Sequence, residues 1–125
     1  MDNRTDPSLS GLFHAISFQI AGIAIALLAN SANFALILFA DTNGHEIALC
    51  VPIIATALFT FVWGDATLQS QVANIKDAAV ETKKSHAYKF ISTQPYNLLR
   101  LMNLVLAFAL AASQLSILFL SLIHI

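Results

Sequence analysis

Charge is what this chain has least of. Lysine, arginine, aspartate and glutamate make up 10 % of its 125 residues, against about 25 % in an ordinary soluble domain. Six basic side chains against seven acidic ones leave a net charge of −1, which offers no basic footprint for nucleic acid. So little charge, set among so many apolar residues, also excludes a disordered chain. There is one cysteine, Cys50. It allows no intrachain disulfide, and one thiol with scattered histidines lacks the ligand spacing of a zinc site. Also missing are a glycine-rich phosphate loop, HExxH, GxSxG and paired carboxylates at helical spacing within an apolar stretch. Nothing here reads as an enzyme.

What is present is apolar. Hydrophobic residues account for 58 % of the sequence and the mean hydropathy is +0.74, above the roughly 45–50 % apolar content of soluble domains. A bilayer is the solvent this implies. Uncharged apolar stretches cover residues 12–40, 47–64 and 101–123. As helices they would measure about 44, 27 and 35 Å, against a hydrocarbon core of about 30 Å. The sequence therefore predicts an all-α integral membrane protein with three transmembrane helices, forming a single helical membrane domain over 1–125. The first stretch is overlong and is expected to tilt. Its apolar region also far exceeds that of a secretory signal, so an uncleaved helix is expected.

The connection Asp41-Thr42-Asn43-Gly44-His45-Glu46 carries an Asn-Gly turn signal and is short enough to make spans one and two an antiparallel hairpin. Lys76, Lys83, Lys84, Lys89 and Arg100 all lie between spans two and three, and Arg4 precedes span one, whereas the short loop holds Asp41 and Glu46 and no lysine or arginine. The positive-inside bias then puts the N-terminus and the long connector in the cytoplasm and the C-terminus outside or in the periplasm. Those five connector cations are also candidates for lipid head-group contact.

Past residue 64 the pattern predicts that helix two continues as a cytoplasmic amphipathic stalk to about residue 92. Leu68, Val72, Ile75 and Ala79 recur at helical spacing, and no glycine or proline intervenes before Pro95. The third span is expected over about 97–123. The stalk's apolar stripe suggests contact with a partner or a sister subunit.

No ionisable residue lies at mid-depth in a span, which argues against a pump or an ion-coupled transporter. Amides and small residues take that place. Gln19, Gly22, Ala26, Asn30 and Asn33 fall toward one side of the first helix, and Asn103, Ala107 and Gln114 toward one side of the third. Such faces read as interhelical packing, within the bundle or between subunits. The competing reading is a pore lined by these uncharged polar groups, which would need several copies.

Four histidines are available. A haem held within a bundle needs two at similar depth. Only His14 and His86 are expected on the same side, and His86 should lie beyond the membrane, so no cofactor or metal is expected. The function expected is that of a non-enzymatic membrane subunit, structural or regulatory, in a larger multi-subunit or homo-oligomeric assembly. A homo-oligomeric pore is the alternative, and a haem- or quinone-type respiratory anchor is a weaker one. Partners would be lipid and other membrane subunits or copies of itself.

Overall fold

The computed structural model describes residues 7–123, with side chains for residues 10, 11 and 13–120. The described chain is helical, without strands. It runs α1 (Pro7–Phe39), α2 (Glu46–Asp77), α3 (Val80–Lys83), α4 (His86–Ser92) and α5 (Tyr96–Ile123). Three of these, α1, α2 and α5, are long and apolar enough to cross a membrane. Pro7 opens α1, a position where its missing N–H breaks no helical bond.

Between α1 and α2 the chain reverses in a tight turn. The Asp41 carboxylate accepts from the backbone N–H of Asn43 at 3.2 Å and from its side-chain amide at 2.8 Å, so the acid braces the turn. Glu46 accepts from the Gly44 N–H at 3.1 Å.

α2 occupies the middle of the fold, packing along both α1 and α5, which meet each other over a shorter stretch. The apolar core lies near the short loop. There Ile37, Ile53 and Leu118, one from each long helix, are packed by Leu49, Cys50, Ala111, Leu115 and Ile117. Large apolar side chains elsewhere face outward, among them Phe18, Leu28, Ile47, Val51 and Phe108. In water such a surface would drive aggregation; in lipid it is the ordinary exterior. Pro52 lies inside α2 and removes one backbone donor, a loss that neighbouring side chains can offset in a membrane helix.

The connector corrects the expected stalk. α2 does pass the end of its apolar stretch, but it stops at Asp77, and Ala78 and Ala79 are both extended, with ψ of 135° and 156°. No single helix runs to residue 92. α3 is one turn, and Ser85 caps α4 by accepting from the Tyr88 N–H at 3.1 Å. The reason is tertiary. The Tyr96 hydroxyl lies 3.4 Å from Gln71 Oε1, whereas an unbroken helix would place residue 92 about 32 Å beyond Gln71. The chain must fold back, and the Tyr88 hydroxyl, donating to the Ile75 carbonyl at 3.3 Å, holds α4 against the end of α2.

Candidate functional site

The amides of the long helices meet inside the bundle. Gln114 on α5 donates through Nε2 to Asn30 Oδ1 on α1 at 2.8 Å, and Asn30 donates through Nδ2 to the Ala26 carbonyl one turn back at 2.8 Å. Gln114 is 1 % and Asn30 6 % exposed. Gln114 Oε1 accepts no hydrogen bond among the described residues, so this buried amide is only half satisfied. Closer to the short loop, Asn33 Nδ2 donates to Thr56 Oγ1 at 3.1 Å, and Thr56 in turn donates to the Pro52 carbonyl at 2.6 Å.

Toward the connector the helices approach closely at two glycines. A Cβ on Gly22 would fall 1.5 Å from the Trp63 indole nitrogen, and one on Gly64 would fall 2.3 Å from Asn103 Oδ1. Each glycine thus receives a side chain from the facing helix. Asn103 Nδ2 donates across to the Phe61 carbonyl at 3.0 Å. The Trp63 ring stacks on Phe18 with centroids 4.9 Å apart and on Phe59 at 5.5 Å, geometries that favour aromatic pairs. Its indole N–H is buried and has no hydrogen-bond partner among the described residues.

Further on, Gln71 donates to Gln19 Oε1 and lies within reach of the Tyr96 hydroxyl, so one amide joins α1, α2 and the start of α5. Nearby, Asp65 binds Arg100. Its Oδ1 accepts from Arg100 Nε at 2.5 Å, and its Oδ2 accepts from Arg100 Nη2 at 3.2 Å and from Gln69 Nε2 at 2.5 Å. This two-point grip fixes the guanidinium plane.

The chain matches no family model, no curated protein and no solved structure. Its own geometry therefore carries the functional argument.

The residues singled out as packing or pore-lining, Gln19, Gly22, Ala26, Asn30, Asn33, Asn103, Ala107 and Gln114, lie between helices. Ala26 and Ala107 are buried. Asn30 and Gln114 are paired with each other, and neither is presented to the outside. The basic residues divide. Arg100 is engaged with Asp65, Lys84 pairs with Glu81 at 2.9 Å, Lys83 and Lys89 are exposed on the connector, and Lys76 shares a pocket with Arg100. Arg4 and His124 fall outside the described residues.

His14 is exposed on α1, with Nδ1 2.9 Å from the Ser10 carbonyl. A carbonyl only accepts, so Nδ1 carries the hydrogen. His14 lines an open groove of about 520 Å³ with Phe18, Trp63, Thr67, Ser70 and Asn74. His86 is exposed at the start of α4. No group of three or more His, Cys, Asp or Glu residues that could hold a metal occurs among the described residues.

One surface was passed over in the sequence. Val105, Ala109, Ala112, Ser113 and Ser116 are all exposed on α5. At 100° per residue they form an arc of about 100°, roughly opposite the face bearing Asn103, Ala107 and Gln114. The hydroxyls of Ser113 and Ser116 donate to the Leu110 and Ala112 carbonyls at 3.0 and 2.6 Å, so this face offers little free polarity. Its spacing is present in the sequence, but small residues cost little in lipid and so mark a face less strongly than the amides on the opposite side of the helix do.

Proposed function

We propose that this chain is a non-enzymatic integral-membrane subunit that packs into a larger membrane assembly through the outer face of α5, with its N-terminus and connector on the cytoplasmic side. The observation that carries the reading is the outward arc of Ala109, Ala112, Ser113 and Ser116. Small residues let a second helix come close and gain dispersion contacts that lipid tails do not supply as well. Asn30 and Gln114 bind each other inside the bundle, so they are not presented to a partner. Alternation of the basic connector with an acidic short loop supports the orientation. The pore reading, with a path lined by Gln19, Asn30 and Asn33 or by Asn103 and Gln114, is the weaker one, because Asn30 and Gln114 are the most deeply buried amides and bind each other.

Gentle extraction in a mild detergent, followed by mass measurement of the complex, tests this. The expected result is a defined stoichiometry with other chains or with further copies, and its loss when Ala112→Leu and Ser116→Leu are combined. Both positions are exposed, so the substitutions leave the interior untouched. A wild-type protein that runs as a lone monomer under gentle extraction would refute the proposal.

A further inference from the structure

At the connector end of the bundle, α2 and the first turn of α5 enclose a pocket of about 290 Å³. Val72 and Ala73 form its apolar part. Gln69, Tyr96 and Asn97 add polar groups, and Lys76 and Arg100 bring two cations to the same space. We propose that this pocket binds the phosphate of an anionic phospholipid.

Arg100 is the oriented donor. Its Nε and Nη2 are held by Asp65, while its side chain remains 43 % exposed. The guanidinium is thus turned by one partner and still open to a second, the arrangement that suits a phosphate oxygen. Lys76 differs. It is exposed, and among the described residues no acid lies within ion-pairing distance of it. Because Asp65 offsets Arg100, the pocket retains one uncompensated positive charge, which matches the single negative charge of a phosphodiester. The first turn of α5 contains no acidic residue to oppose it.

Location selects the source. Arg100 adjoins the end of the apolar stretch of α5, where lipid phosphates lie. The long stem of Lys76 can lie along the helix toward the same level. A free phosphate would share the chemistry but not the adjoining apolar surface of Phe61, Leu101 and Leu104 on the span side of Arg100, against which the glycerol end of a lipid can rest.

The test uses the full chain in mild detergent, titrated with phosphatidylglycerol and with phosphatidylcholine and read by native mass spectrometry as the number and affinity of retained lipids. One phosphatidylglycerol is expected to be retained with clear preference over phosphatidylcholine. Lys76→Gln should lower that affinity about five-fold, as removal of one membrane-surface cation implies. Lys83→Gln, altering a lysine outside the pocket, should leave it unchanged. Lys76 is exposed, so this variant keeps the fold, and an unchanged circular dichroism spectrum checks that. Equal retention of the two lipids, or wild-type affinity in Lys76→Gln, would overturn the proposal. Full displacement of phosphatidylglycerol by millimolar inorganic phosphate would overturn the lipid assignment.

Discussion

Replacing Gln114 by Leu removes the side-chain bond that joins α1 to α5 inside the bundle. Interhelical side-chain hydrogen bonds in membranes contribute about 0.6 kcal/mol on average and up to about 1.7. The loss also strands Asn30 Oδ1, buried at 6 % exposure, and a stranded buried acceptor costs about 1–3 kcal/mol in protein interiors. In the opposite direction, the change removes Gln114 Oε1, which is already buried without a partner among the described residues. These opposing effects leave a net destabilisation of about 1 kcal/mol for Gln114→Leu. Asn30→Leu has the converse effect, stranding the Gln114 amide. The double replacement strands neither group and puts apolar surface on both sides of the contact, so it should recover most of the combined loss. Reversible unfolding in mixed micelles, applied to the wild type, both single variants and the double variant, measures the coupling. A coupling of about 1 kcal/mol is expected for a direct bond. Additivity within about 0.3 kcal/mol, the level found for independent sites, would refute the claim that these two amides hold the helices together.

Other expectations follow from single contacts. Gly22→Val should push the Trp63 indole off α1 and destabilise the bundle by about 1–3 kcal/mol, as overpacking does; Trp63 is the chain's one tryptophan, so an unshifted emission spectrum would count against the close approach. Gln71→Leu should loosen the fold-back of the connector, seen as faster amide exchange in residues 86–92, and unchanged protection there would show that α4 docks without it. With Cys50 replaced by Ala, single cysteines at Asn43 and Lys83 should label from opposite sides of the membrane; labelling from the same side would remove the three-span arrangement.

The three long helices were legible because a bilayer imposes a simple demand. Each crossing must satisfy its backbone internally and present apolar side chains over about 30 Å. The stretches 12–40, 47–64 and 101–123 meet that demand locally, and α1, α2 and α5 contain them. The amide faces were legible for a related reason: Asn30 and Gln114 are expensive in lipid, so their position on a helix signals an interface. The break at Ala78 was not legible. Ala78, Ala79 and Val80 contain no residue that ends a helix, and the local pattern of Leu68, Val72, Ile75 and Ala79 favours continuation. The one local hint was Ser85, which caps α4.

Composition and periodicity thus determined, unaided, that this is a helical chain with three segments suited to lipid, since both follow from the transfer of side chains between solvents and need no knowledge of neighbours. Only the tertiary structure decided which partners those segments choose. Whether Gln114 meets Asn30 or a second chain depends on how α1, α2 and α5 are rotated about their axes. Where α2 ends depends on the return of Tyr96 to Gln71, a contact between residues 25 positions apart. Such a contact outweighs helix propensities that differ by only tenths of a kcal/mol per residue, which is why the connector folds back although its sequence reads as straight.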